Sequence, residues 1–201
     1  MDFGTVKKNL EEKGYAVSCF ATAAQAADYM GNAIVGKTVG IGGSATVNQM
    51  GLYEKLSKAN QVSWHGRMPA GKTDGQIRMQ ARAAEVYISS VNGLAETGEI
   101  INIDGLCNRV SEILYGHRKV YLVVGKNKLA ENYDKALWRA RNIAAPKNAQ
   151  RLGAATPCAA KGDRCYDCKS PGRICKGLVV LWEKPGKSDI EVVLIDQELG
   201  F

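Results

Sequence analysis

Apolar positions follow two different spacings along the chain. In residues 5–13, Val6 and Leu10 stand four apart and the run stops at Gly14, the pattern of an amphipathic helix that ends on glycine. A short strand is predicted at 15–20 and a second helix from Thr22 to about residue 35. The apolar strand 38–41 then runs into Gly42-Gly43-Ser44. Thr46 with Gln49 three residues on resembles a capping box, and Leu52 and Leu56 continue the helical spacing. The cycle repeats with a strand at 61–64, a loop around Pro69, a helix at 74–84 and a strand at 86–89. Later come a strand at 119–124 and a helix at 131–144, which Pro146 is expected to close.

Strands that alternate with helices predict an α/β fold with a mainly parallel sheet flanked by helices. After residue 157 the pattern changes. A cysteine- and glycine-rich stretch at 157–176 precedes two β-rich runs, 178–182 and 190–195, separated by Lys184-Pro185-Gly186-Lys187, which read as a C-terminal β-hairpin. With no internal repeat and no low-complexity tract, residues 1–201 are expected to form one domain with a cysteine-rich insertion.

Composition narrows the class. At 45% hydrophobic and 23% charged residues the chain has ordinary globular chemistry, which argues against a disordered or fibrous protein. No apolar run reaches the ~18 residues of a membrane span, and the charged start MDFGTVKKNLEEKG does not resemble a signal peptide. A cytoplasmic location is therefore expected, with thiols kept reduced. The formal charge of +7 comes from scattered lysines and arginines, without the basic runs of a nucleic-acid arm. A small anionic metabolite is a better expectation than nucleic acid.

In a parallel α/β sheet, ligands sit outside the carboxyl ends of the strands, so three loops draw attention. The first is Gly42-Gly43-Ser44-Ala45-Thr46, where glycines permit close backbone approach and hydroxyls either bind an anion or cap the next helix. The second spans residues 89–110. In it Asn102 and Asp104 share one face of a strand while Ile101 and Ile103 take the other, and Asn92, Gly105, Asn108 and Arg109 lie close by in sequence. Arg109 has the fork to hold a carboxylate or phosphate, or else it pairs with Asp104 or Glu99. The third loop is Gly125-Lys126-Asn127-Lys128, with Lys128 as an anion contact. Asp104, Glu96 and Glu99 are the carboxylates available for catalysis. His65 and His117 have no ligand-like spacing and are read as ordinary residues.

Cys158, Cys165, Cys168 and Cys175 form a Cys-x6-Cys-x2-Cys-x6-Cys pattern with Arg164, Lys169, Arg173 and Lys176 among them. Four thiolates suit a tetrahedral zinc ion or an iron–sulfur cluster; reduced thiols or disulfides are the alternatives.

Several motifs in order resemble the lactate-utilisation (LUD) family, formerly the domain of unknown function DUF162. They are Gly42-Gly43-Ser44, Asn92-Gly93-Leu94-Ala95-Glu96-Thr97-Gly98, Asn102-Ile103-Asp104-Gly105, Asn108-Arg109-Val110, Gly125-Lys126-Asn127-Lys128 and Pro157-Cys158. The resemblance implies a fold related to ribose-5-phosphate isomerases and CoA transferases. It also implies a role in oxidising lactate to pyruvate beside iron–sulfur partner subunits, and it tilts the cysteine cluster towards a [4Fe-4S] cluster over Zn2+ or no metal. The chain departs from the family at Ala95, at Cys107, where glycine is usual, and at His117. The CoA transferase nucleophile is a glutamate in a Ser-Glu-Asn-Gly motif, and here Val91 takes its place in Ser90-Val91-Asn92-Gly93. A stand-alone isomerase- or transferase-like enzyme and a metal-stabilised interaction module are the other functional readings.

Overall fold

The computed structural model describes residues 3–201, so the first two residues of the expected domain and of its charged start lie outside the described residues. The first half contains α1 (Phe3–Glu12), β1 (Ala16–Phe20), α2 (Ala23–Ala33), β2 (Thr38–Ile41), α3 (Ala45–Gln49), α4 (Leu52–Leu56), β3 (Gln61–Trp64) and α5 (Asp74–Arg82). Next come β4 (Val86–Ser90), β5 (Gly93–Ala95), β6 (Ile100–Asp104), α6 (Asn108–Leu114), β7 (Lys119–Gly125), a 3-10 turn (Lys126–Lys128) and β8 (Leu129–Ala130). The last part comprises α7 (Tyr133–Arg139), a π turn (Ala140–Ala144), α8 (Ala145–Arg151), α9 (Pro157–Lys161), β9 (Gly177–Leu181) and β10 (Ile190–Ile195).

Six strands build an all-parallel sheet in the order β1-β10-β7-β4-β2-β3. Its central strands are apolar on both faces, as parallel strands covered by helices must be. Val123, Val193 and Ile195 pack on one side against Ala26, Met30, Val47 and Leu56 of α2 to α4. Leu122, Val124, Val192 and Leu194 pack on the other against Val6 and Leu10 of α1. A second sheet, β8-β5-β6-β9, shares that second core and turns its far face, with Ala95, Ile101 and Ala130, onto Ala136 and Ala140. The approach of α7 is close: a Cβ on Gly93 would lie 2.6 Å from the Ala136 carbonyl oxygen.

The α/β expectation with a parallel sheet is met, but three local expectations are not. The C-terminal hairpin does not form. The turn is present, with Ser188 N–H donating to Pro185 O at 3.1 Å, yet β9 pairs with β6 in the second sheet while β10 runs between β1 and β7 in the first. All six positions of β10 are buried, so it needs cover on both faces; β9 is only partly buried and serves as an edge.

Pro146 does not close the helix either. The π turn shifts the hydrogen-bond register so that Ala145 N–H donates to Ala140 O, and helix α8 starts afresh with Pro146 in its first turn, where no N–H is required. The capping box expected at Thr46 is also absent. Ser44 caps α3, accepting from Val47 N–H at 3.2 Å, and Thr46 is fully buried inside that helix. Capping boxes occur instead at Thr22 with Gln25 and at Thr73 with Gln76.

Candidate functional site

Strands β2, β3, β4 and β7 all end at the same edge of the parallel sheet, so the loops after Ile41, Trp64, Ser90 and Gly125 emerge together. A cleft of about 630 Å3 opens there, between those loops, the Asp104 end of β6, α8 and residues 173–176. Gly43, Ser44, Asn92, Asp104, Gly105, Asn108, Arg109 and Lys128 line it. Other candidates support it from behind. Gly42 is packed so tightly that a Cβ would sit 2.7 Å from the Tyr87 hydroxyl. Thr46 donates to Leu199 O at 3.2 Å, and Asn127 Oδ1 accepts from Leu199 N–H at 3.0 Å. A Cβ on Gly125 would come within 2.8 Å of that same Asn127 oxygen. Asn102, almost fully buried, accepts from Arg109.

Arg109 projects from α6 and is nine-tenths buried. One terminal nitrogen donates to Ser90 O (3.0 Å) and Asn102 Oδ1 (2.9 Å), and the other to Asn92 Oδ1 (2.9 Å) and Ile103 O (2.8 Å). Its Nε lies 3.5 Å from Asp104 Oδ2. Of the two roles the sequence leaves open, this geometry is the pairing one: the guanidinium ties β4, β6 and α6 together and has its donors directed at the protein. Asp104 is held in turn by the backbone N–H groups of Gly105 (2.7 Å) and Val110 (3.3 Å). Cys107, just before α6, adopts a left-handed conformation with φ 59°, which glycine takes up more easily than a residue with a side chain.

Lys128 lies at the floor of the cleft and is 4% exposed. Its ammonium donates to Ser90 Oγ at 2.8 Å and Val91 O at 3.1 Å, and the Ser90 hydroxyl donates in turn to Thr46 Oγ1 at 3.3 Å. Burial first, and then the charges of Arg139 and Arg109, bring its pKa down to about 7. The amine therefore divides between charged and neutral forms near neutrality, and in the neutral form it has a lone pair for a proton or a carbonyl carbon. Arg139, beneath it, donates to Asn127 O and Asn92 O and is itself pushed down to about 10 by burial.

Glu96 and Glu99 are outside the cleft. The backbone of Glu96 is bonded to Ala130 and Asn9, and Glu99 pairs with Thr97 and with Lys13. Asp104 is thus the one candidate carboxylate at the cleft wall. The structure adds residues that reading by motif passed over: Trp64, His65, Arg67, Arg78, Asn148 and Arg151. His65 directly follows β3, so the rule that ligand loops follow strand ends applied to it as well; its pKa is lowered by burial and by Arg78. His117, by contrast, is a satisfied core histidine between Ala84 O (2.7 Å) and Glu112 (2.9 Å), stacked on Tyr87. Arg67, Arg78, Lys128, Arg151 and Lys176 line the cleft together with Arg109 and Arg173, whose guanidiniums are engaged with the protein, and Asp104 is the acidic side chain among the lining residues. Such a surplus attracts anions.

The four cysteines of the 157–176 loop line a separate small void behind α8, and Cys168 is held below the ordinary thiol range by hydrogen bonds from Ser170. No three of the described His, Cys, Asp or Glu side chains converge in a metal-ready group. Among the described residues no helix is long and apolar enough to cross a membrane.

A parallel sheet with a cation-rich cleft at its carboxyl edge defines the class, an α/β fold with a cleft among its strand-end loops. Comparison with known proteins then gives the family: the LUD domain pattern matches residues 4–195, and the chain belongs to that family. The crystal structure of a DUF162 family protein from Deinococcus radiodurans is similar in fold, with a TM-score of 0.53 over 96% of this chain and 95% of that chain at 11% identity. No curated protein sequence matches the chain.

Proposed function

We propose that this lactate-utilisation-type protein binds a small anionic metabolite, a hydroxy- or keto-acid, in the strand-end cleft and serves lactate oxidation as an accessory or redox-linked component beside iron–sulfur partner subunits. One observation carries the ligand class: five basic side chains, Arg67, Arg78, Lys128, Arg151 and Lys176, line a single cleft whose acidic side chain, Asp104, is already held by Arg109. In this reading Arg151, Arg78 and Lys176 draw the carboxylate in, and Lys128 meets it at the floor. Ser44 and Asn108 supply polar contacts, and Asp104 orients a hydroxyl. Membership of the LUD family supports the metabolic setting.

The size of the cleft favours a second reading. A volume of about 630 Å3 exceeds what a three-carbon acid fills and suits a sugar phosphate or a thioester carrier, for which the protein would act alone as an isomerase- or transferase-like enzyme. With Val91 buried where a transferase glutamate would stand, the transferase branch has no nucleophile at that position. Titration calorimetry of the purified chain with lactate, pyruvate, ribose 5-phosphate and coenzyme A separates the two. Saturable binding of pyruvate or lactate, lost in Lys128→Met, is the expected result. Binding of the phosphate compounds alone, with turnover in the absence of partners, transfers the protein to the second reading. Heat from none of them removes the anion site.

A further inference from the structure

Behind α8, the 157–176 loop folds its four cysteines around one void. Cys158 comes from α9, Cys165 and Cys168 from the loop after it, and Cys175 from the segment entering β9. None is joined to another: all are free thiols. The rest of the lining is apolar except for Thr156 and two arginines, and these polar groups are aimed at sulfur. Arg173 Nε donates to Cys175 Sγ at 3.2 Å, and Arg141 reaches Cys165 Sγ at 3.9 Å. The Asp167 backbone N–H donates to Cys165 Sγ at 3.4 Å from inside the Cys-x2-Cys turn, where Asp167 takes a left-handed conformation. The Thr156 hydroxyl lies 3.3 Å from Cys158 Sγ. Donors and positive charge around sulfur stabilise thiolates, the form in which cysteine binds metal.

The void also adjoins the anion cleft. Ala145, Arg173, Ile174 and Cys175 line both, and the rest of α8 separates them, with Pro146 and Ala149 towards the sulfurs and Asn148 and Arg151 towards the cleft. The loop is pinned to the same strand end that presents Asp104. Lys176 N–H donates to Asp104 O at 2.9 Å, and a Cβ on Gly105 would lie 2.8 Å from Ile174 O.

We propose that Cys158, Cys165, Cys168 and Cys175 are the ligands of one four-thiolate metal centre that braces a wall of the anion cleft. In the structure the sulfurs ring the void without three of them meeting at one point, so metal entry draws them inward. Each ligating thiol gives its proton to solvent as the metal–sulfur bond forms; with zinc the step is redox-neutral, and an iron–sulfur cluster would have to arrive preassembled with its own iron and sulfide. The donor set accepts a single zinc ion or an iron–sulfur cluster, and the metal content tells them apart.

The test is metal analysis with acid-labile sulfide on the full chain purified without oxygen. The expected result is about one zinc per chain, or about four iron with matching sulfide, falling at least ~10-fold in the Cys165→Ser, Cys168→Ser double variant and unchanged in Cys19→Ser. Should the double variant not fold, native mass spectrometry of the wild-type chain before and after a strong chelator gives the same answer. Hydrogen exchange of residues 104–109 should rise once the metal is removed. A metal-free wild-type protein, whether its four thiols alkylate freely or are paired as disulfides, overturns the proposal. A bound metal that survives the double substitution does the same.

Discussion

Arg109, Lys128 and Arg139 beneath the cleft are each less than a tenth exposed and spend their donors on backbone, amide and hydroxyl oxygens. Around the mouth the same charges are held differently: Arg67 leans on Glu54, Arg78 on Asp74 and Arg151 on Asn148, all with solvent access. The contrast shows that a basic residue at an anion site has two distinct uses. A buried cation with several fixed acceptors shapes the site, and in Lys128 and Arg139 burial also penalises the charged form, far enough in the lysine to bring its pKa down to about 7. A rim cation keeps its charge and its freedom, so it attracts ligand from a distance while adding little to stability.

The largest effect that would break this division is on Arg109. Arg109→Ala removes four buried hydrogen bonds, to Ser90 O, Asn102 Oδ1, Asn92 Oδ1 and Ile103 O, and the partner of Asp104, and should cost ~3–5 kcal/mol of unfolding free energy, read by urea denaturation. A variant of wild-type stability with weakened anion binding would place Arg109 among the ligand contacts instead. Next is Lys128→Met, expected to weaken pyruvate binding by ~1.5–3 kcal/mol, the range for a hydrogen bond to a charged group. In the wild type, affinity should decline as pH rises through about 7 and the ammonium discharges; in the variant that decline should be missing.

Stability carries a second signature of the same group. The unfolded chain holds this proton up to the ordinary lysine value of 10.5, while the folded chain releases it at about 7. Between those values the unfolded state binds more protons, so this lysine makes folding more favourable as pH increases across the window. Denaturation midpoints that show the same slope in Lys128→Met would rule out the buried titration.

Two smaller effects sharpen the picture. Cys107→Gly removes a side chain from a left-handed position at the start of α6 and should add ~1 kcal/mol of stability, visible as a higher thermal midpoint. A lower midpoint would mean that the packing of Cys107 against Gly177 outweighs the backbone strain. Arg151→Gln, at the rim, should change stability by less than ~0.5 kcal/mol and reduce anion affinity only a few-fold, with a shallower salt dependence. If it instead unfolds the protein, the rim is structural too.

Much of the architecture was legible because apolar periodicity reports burial directly. The strand–loop–helix cycles at 38–56 and 61–84 are present, and the glycine, asparagine and lysine loops do emerge at one sheet edge. The family motifs and the four-cysteine spacing were equally visible, since both are properties of residue order. Periodicity could not distinguish the partners of β9 from those of β10, because pairing is chosen by which edges remain open after the rest has folded. The π turn that accommodates Pro146 was hidden for a related reason: a proline signals a missing N–H, and whether a shifted register absorbs it depends on the surrounding packing.

Residue order by itself thus determined which segments become strands and helices, which loops follow strand ends, and that four thiols lie close together in the chain. Only the tertiary structure decided what the charged residues there do. It turned Arg109 inward as a brace, sank Lys128 far enough to lower its pKa to about 7, and carried His65, Arg78 and Arg151 from distant segments to one cleft. Burial and the company of other charges set the behaviour of an ionisable group, and both arise from chain crossings that separation along the sequence does not reveal.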